Sequence, residues 1–548
     1  MSLLTRRAIC AGATAAMVFP AGSGALATTT KPADTIFVHG TIFTVDAKRP
    51  WAQAVSIRDG RIVFVGANDD ALRFRGPETR VVDLAGRLVL PGFIDPHNHV
   101  YLRAEDLFWV RLPGGPRPIG PPGEGIASLE GYRSAIAAYR AKTPGLQQVR
   151  GIGFDLDLVR AAATAQNKQP REVLDELVSD LPAAFLTHSH HEMWANTQAL
   201  QLAGLDRSTP DPRGAVIHRD PATGEPNGLL NEFSAHNLVV SKFPEPDFTV
   251  EQHRQAILSW QEMASRRGVT GVLVPTHYRA PNFNAAIQGL SDQGDLTTRY
   301  NVAQWADENR GVSQVAELVA TRARLRGGPH LKFNTVKIFA TAVPESGLTM
   351  IWPQDSLNAT MAALDKSGFR LFIHDIGPTD TYDKVLDAFA YVLAQNGRRD
   401  ARHVISHIFP AAVPTAARLN ALGVRADGHP APKAFYDLGG PTSCSSDYPV
   451  WDFNPLPRLQ AGVKEGVSLE AMVVSQTLRG AEAIFADKDC GSIEVGKSAD
   501  LIALDLNIFR APSDTIAQAK VVLHLFAGKA LHQDIGLTAA DLNGPRQL

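Results

Sequence analysis

Apolar positions along this chain recur with two different periods, and the change between them divides it. From residue 34 to residue 90 they alternate with polar ones: Ile36, Val38, Ile42 and Thr44 lie around His39-Gly40, and residues 52–66 hold two further alternating runs joined at Asp59-Gly60. Residues 81–90 add another such run. Side chains of a strand point to opposite faces in turn, so short alternating runs separated by glycine turns predict a small β-sandwich. Beyond residue 267 the pattern becomes short apolar runs at 269–275, 299–305, 333–339, 369–373, 403–406, 424–426 and 441–445. Helical-period stretches such as 313–324 and 381–395 lie between them. The run that ends at Ile94 is the first strand of this series. Strands that alternate with helices pair in parallel and close. The expected fold class is α/β, a (β/α)8 TIM-type barrel with a small satellite sandwich.

Residues 99–267 do not fit one strand-helix unit. They open with a proline- and glycine-dense loop at 112–125, which can be neither helix nor central strand. An inserted subdomain at about 103–266, on the loop side of the first barrel strand, keeps the barrel regular. Active sites of such barrels sit at that C-terminal face.

Composition narrows the class. A chain of 548 residues is ample for one large barrel and a satellite, and 44% apolar with 20% charged residues is ordinary for a globular protein. A formal net charge of −2 without a basic run argues against nucleic acid and against electrostatic membrane attachment. No apolar stretch is long enough to span a bilayer. Thr5-Arg6-Arg7, the weakly apolar residues 8–20 and Ala25-Leu26-Ala27 read as an export signal over 1–27. Paired arginines favour the twin-arginine type, which carries folded proteins to the periplasm; an ordinary secretory signal also leads out of the cytoplasm. Cys10 leaves with the signal, and Cys444 and Cys490 are too few for a disulfide framework or a thiolate zinc site.

Candidate chemistry starts where the first barrel strand ends, at Asp95-Pro96-His97-Asn98-His99. Residues two apart on an extended chain face the same way, so His97 and His99 supply two adjacent imidazoles, half of a metal site. The stretch Pro91-Gly92-Phe93-Ile94-Asp95-Pro96-His97-Asn98-His99 resembles the first-strand motif of the amidohydrolase superfamily. Gly151-Ile152-Gly153-Phe154-Asp155, Arg171-Glu172-Val173-Leu174-Asp175 and His191-Glu192-Met193-Trp194-Ala195-Asn196 resemble motifs of its family 3 branch, the N-substituted formamide deformylase-like metal-dependent hydrolases. Gly491-Ser492-Ile493-Glu494-Val495-Gly496-Lys497-Ser498-Ala499-Asp500-Leu501 is similar to that family's signature for re-entry into the sandwich, and residues 521–532 look like its last hairpin. With the export signal at 1–27 set apart, the division is a sandwich built from 33–89 and 486–535, a barrel at 90–485, as the resemblance implies, and a tail at 536–548.

Further ligands follow from the same resemblance. Lys337, in Val336-Lys337-Ile338-Phe339, matches the strand-four position where a lysine is carboxylated and bridges two metals. His374 and His407 match the single histidines that end strands five and six. Asp447, in Ser446-Asp447-Tyr448-Pro449, matches the strand-eight aspartate that binds a metal and accepts a proton. The implied metal ligands are thus His97, His99, Lys337, His374, His407 and Asp447, a nitrogen and oxygen set that suits Zn²⁺, two ions or one, with Mn²⁺ or Fe²⁺ as alternatives. His191 is the implied oxyanion donor, and His191, Trp194 and Asn196 are the implied substrate-binding residues, the last two shaping the loop beside the substrate. His188-Ser189-His190-His191 is also a rival metal-binding cluster in its own right.

Three positions depart from the family pattern. Ala340-Thr341 stands in place of Asp-Gly, Ser406 in place of a glutamate, and Pro378 in place of an aspartate. The resemblance therefore implies a metal-dependent hydrolase of a small molecule, cleaving a C–N amide-type bond (amide, formamide or N-acyl) with a metal-activated hydroxide. Ester, lactone or carbamate hydrolysis on the same centre, or a binding protein that has lost catalysis, stay open, as does assembly into a homo-oligomer.

Overall fold

The computed structural model describes residues 31–115, 125–276, 281–342 and 349–534. The proposed signal, the tail and most of the proline-rich loop lie outside the described residues.

Eight parallel strands form the central sheet, in chain order: Phe93–Asp95, Val269–Pro275, Arg299–Ala306, Leu331–Phe339, Arg370–His374, Val404–Ser406, Arg425–Gly428 and Thr442–Cys444. Every residue of Val269–Pro275 and of Arg370–His374 is buried. This is why these strands read as continuous apolar runs: a parallel strand covered by helices on one face and by barrel interior on the other has no solvent side. The connecting helices include Val250–Arg267, which starts at a Thr249 cap and stops at Gly268 in the left-handed region. Thr379–Asn396 fulfils the helical period expected there, and the stretch at 313–324 begins as a 3-10 turn before Val315–Arg324 becomes α-helical.

The ring closes between its first and last strands at their C-terminal ends. Asp447 N donates to His97 O at 2.8 Å and His99 N to Tyr448 O at 2.9 Å. The Asp95 carboxylate clamps the same seam: it accepts from Ser446 N at 2.8 Å, Ser446 Oγ at 2.5 Å and Asn98 Nδ2 at 2.9 Å.

The segment between the first and second barrel strands folds on its own six-stranded sheet, in the order Val216–Arg219, Pro226–Asn231, Glu192–Ala195, Ala183–Leu186, Val149–Ile152, Val110–Arg111. Phe154, Phe185, Trp194 and Tyr132 pack in its core. The sequences before and after the barrel share another six-stranded sheet, in which Leu88–Pro91 pairs antiparallel with Leu501–Leu504. Beside it lies a four-stranded sheet containing Thr35–Val38 and Ala54–Arg58, and Phe37, Val55, Val89, Leu501 and Leu523 belong to one apolar cluster. A buried ion pair, Arg299 Nε to Asp500 Oδ2 at 2.9 Å, ties the third barrel strand to this sheet. Cys444 and Cys490 are buried free thiols, both pushed up to about 12 by burial. Among the described residues no helix is long and apolar enough to cross a membrane.

Asp95→Ala leaves Ser446 N–H and the Asn98 amide without their acceptor at the barrel seam. It is expected to destabilise the protein by about 2–4 kcal/mol, read by chemical denaturation. A wild-type midpoint would show that the seam closes without the clamp.

Candidate metal centre

The barrel mouth gathers the polar residues that the apolar strands end in. His97 and His99 leave the first strand, Lys337 lies in the fourth, His374 ends the fifth, His407 follows the sixth and Asp447 follows the eighth. Asp447 Oδ1 is 3.1 Å from His97 Nε2 and 3.0 Å from His99 Nε2. Lys337 Nζ is 3.4 Å from His97 Nε2, and His407 Nδ1 is 3.9 Å from Asp447 Oδ2. The His374 and His407 rings lie 4.4 Å apart between centroids. All six predicted ligands therefore meet in one place.

One participant escaped the sequence analysis. His429, just past the seventh strand, has Nε2 3.0 Å from His407 Nδ1 and Nδ1 3.0 Å from the Ser445 carbonyl, and its ring stacks on Trp451. The signal was present, since Ala426-Asp427-Gly428-His429 repeats the pattern of a strand that runs out in a histidine. Among the described residues two groups place their donor atoms within 4.8 Å of one another: His97, His99 and Asp447, and His97, His407 and His429. Neither includes the rival His188-Ser189-His190-His191 cluster.

Beneath the ligands runs a chain of hydrogen bonds. His97 Nδ1 lies 2.8 Å from Ser406 Oγ, which donates to Asp427 Oδ2 at 3.2 Å, and Ser443 and Ser445 each donate to that carboxylate at 2.7 Å. Ser406, a departure from the family pattern, is thus the link that holds the His97 ring. Such outer partners orient a ligand and fix its tautomer.

Electrostatics match a cation site. Burial holds the His97, His374 and His407 imidazoles well below their ordinary value, so they are neutral. Burial pushes the Lys337 ammonium down to about 7, against the pull of Asp447 and Asp427. Its Nζ sits over the Phe372 and Phe339 rings, 4.6 and 4.9 Å from their centroids. Neutral imidazole lone pairs and one carboxylate converging in a buried space lack positive charge, and a divalent metal ion fits that donor set. Strained backbone concentrates here too: His190, Glu232, His407 and Asp447 have φ of 63°, 70°, 63° and 53°.

His191 lines the same cavity, with Phe233, Trp305, Phe339 and Val450 as its apolar wall. Its Nδ1 is 2.9 Å from Glu232 Oε1. Burial works to lower its pKa, but the Glu232 bond, with the charges of Glu192 and Asp447, leaves it raised. The placement of Trp194 and Asn196 beside the substrate is corrected by the structure. Trp194 is fully buried and donates its indole N–H to Pro170 O at 2.7 Å. Asn196 caps the helix Thr197–Ala203 and bonds to the Val178 and Leu181 carbonyls. Neither lines the cavity.

Residues 80–532 match the profile of the amidohydrolase family. The chain belongs to the amidohydrolase family. This amidohydrolase is 26% identical to an N-substituted formamide deformylase of Arthrobacter pascens, over 87% of this chain and 94% of that one. It is 27% identical to the Protein LONG AFTER FAR-RED 3 of Arabidopsis thaliana, over 91% of this chain and 92% of the relative. The crystal structure of an uncharacterized metal-dependent hydrolase from Pyrococcus horikoshii shares the fold, with a TM-score of 0.66 at 19% identity over 88% of this chain and 99% of that one. The amidohydrolase is accordingly an enzyme of the hydrolase class on an α/β TIM-like fold.

The three neutral imidazoles set a pH dependence. In the fold they titrate below 6.5, and once unfolded at about that value, so below it the unfolded chain binds protons that the native one does not. Stability is therefore full above about pH 6.5 and lost as pH falls below it. Calorimetry on chelated protein is expected to show a melting temperature that drops from about pH 7 to about pH 5, with a shallower drop when His97, His374 and His407 are all replaced by glutamine. Equal slopes for both proteins would contradict this account.

Proposed function

We propose that this amidohydrolase cleaves a C–N amide-type bond of a small molecule with an apolar substituent. The observation that carries the reading is the convergence of His97, His99, Lys337, His374, His407 and Asp447 at the barrel mouth, beside an apolar wall. The name of the Arthrobacter relative, a formamide deformylase, supports this bond type.

His97, His99 and Asp447 would hold one cation, and His407 with His374 or His429 a second; His97 belongs to both groups of converging donors. Zn²⁺ suits this nitrogen and oxygen set. A cation bound there supplies Lewis acidity, which polarises a carbonyl and makes water more acidic. The remaining steps belong to the chain's own residues. Asp447 accepts the proton of the attacking water and passes it to the leaving amine. His191 donates a hydrogen bond to the carbonyl oxygen as charge builds on it. Phe233, Trp305 and Phe339 hold the substituent and keep bulk water from the bond that breaks.

Lys337 carries the two-metal reading. With its pKa pushed down to about 7, a large share of the amine is neutral near physiological pH. A neutral amine adds to CO₂, forms an N–C bond and releases one proton, giving a carbamate with two oxygens able to bridge two cations. The sheets formed by the two ends of the chain serve as one satellite sandwich beside the barrel. Residues 1–27 direct export, with the twin-arginine pattern favouring the periplasm.

A panel of amides, formamides and esters, assayed on metal-quantified mature protein, tests the reaction; turnover of esters alone would overturn the bond assignment. Asp447→Asn is expected to keep the fold and most of the metal and lose about 100-fold or more in turnover. Lys337→Ala is expected to bind about one metal fewer per chain by elemental analysis and lose most activity. An unmodified Lys337, seen by mass or electron density in fully active enzyme, would leave a one-metal centre.

A further inference from the structure

The insertion brings a buried carboxylate to the cavity through a non-sequential strand pair. His191 immediately precedes the strand Glu192–Ala195, and Glu232 immediately follows Pro226–Asn231. These strands pair antiparallel, with Glu192 opposite Asn231, so the residues just beyond the pair come together across it. The backbone of His191 is held twice from the second strand: Glu232 N donates to its carbonyl at 2.8 Å and Asn231 Nδ2 at 3.3 Å. The ring is then gripped by Glu232 Oε1, 2.9 Å from Nδ1, with the glutamate side chain 6% exposed and the imidazole 31% exposed.

Glu232 takes this position at a backbone cost. Its φ of 70° and ψ of 155° lie in a region that glycine alone occupies freely. Strain of this kind persists only where the surroundings over-determine it, and it clusters at functional sites. Helix capping does not explain the residue. Glu232 stands at the N-cap of Phe233–Val240, yet its carboxylate makes no cap bond. What the strained turn achieves is placement: Glu232 goes behind His191, and Phe233, one residue on, goes into the cavity wall.

We propose that Glu232 is a positioning residue: accepting from Nδ1–H, it fixes the orientation of the His191 ring and favours the doubly protonated form, whose Nε2–H donates into the cavity above the ligand cluster. This rests on the role given to His191 in the proposed hydrolysis. The bond to Glu232 occupies Nδ1 with the ring's proton-bearing edge toward the carboxylate, and the positive charge it favours sits opposite Asp447. A ring left to itself would rotate and share its proton between both nitrogens.

The test uses the full metal-loaded mature chain and the variants Glu232→Ala, Glu232→Gly, His191→Ala and the Glu232→Ala/His191→Ala pair. On any panel substrate that the wild type turns over, Glu232→Ala is expected to lower kcat about 10-fold or more with KM within about 2-fold, and to cost nothing further once His191 is alanine. Glu232→Gly is expected to match that loss while melting above Glu232→Ala, the reverse of the usual order, because only glycine relieves the strained φ. Ring ¹⁵N shifts of His191 should report both nitrogens protonated in the wild type, and in Glu232→Ala a neutral ring with one proton shared between them. Additive losses in the pair, or a His191 ring unchanged in Glu232→Ala, would overturn the proposal. If the wild type turns over no panel substrate, the reaction assigned above fails, and the nitrogen shifts still decide whether Glu232 sets the ring.

Discussion

The barrel seam is the constraint on which the site depends. Asp95 and Ser446 are 351 residues apart in sequence, and their hydrogen bonds bring the first strand against the last. The next bonds along the same seam, Asp447 N to His97 O and His99 N to Tyr448 O, set two imidazoles against one carboxylate. A slip of one residue in that pairing would turn Asp447 away from both histidines, because side chains on an extended chain alternate faces. Closing the ring and assembling the ligands are thus one event, and the donor geometry inherits its precision from the barrel.

Polarity beneath the ligands is organised in the same spirit. Ser406 brings only a neutral hydroxyl to the His97 ring, and the Asp427 carboxyl, on the neighbouring strand, stands one hydrogen bond further away. Burial pushes the Asp427 carboxyl up, and the serine hydroxyls that donate to it work in the opposite direction. The departure at Ser406 therefore marks a rebuilt support, while the ligands above it stay in register.

Much of this was legible in the chain. The barrel strands showed themselves because two-sided burial leaves uninterrupted apolar runs, as in Val269–Pro275. The ligands showed themselves because each stands where such a run ends. Trp194 was misjudged although the information was present: His191 and Trp194 are three apart on an extended segment, so they face opposite sides, one to the cavity and one to the core. His429 was missed because its strand, Arg425–Gly428, is short and partly polar. The strand order of the insertion, and with it the meeting of His191 and Glu232, depends on pairing between distant segments, which no local pattern encodes.

The sheet shared by the two ends of the chain has a consequence for how the molecule is made. Leu88–Pro91 leads straight into the first barrel strand, yet its neighbour in the sheet, Leu501–Leu504, leaves the ribosome more than 400 residues later. Until then the edge that Leu88–Pro91 offers is unpaired, and the Arg299 guanidinium waits in the barrel for Asp500. Contacts so distant in sequence form late and slowly. The nascent chain therefore spends most of its synthesis with an open sheet edge, and only the finished polypeptide can bury it.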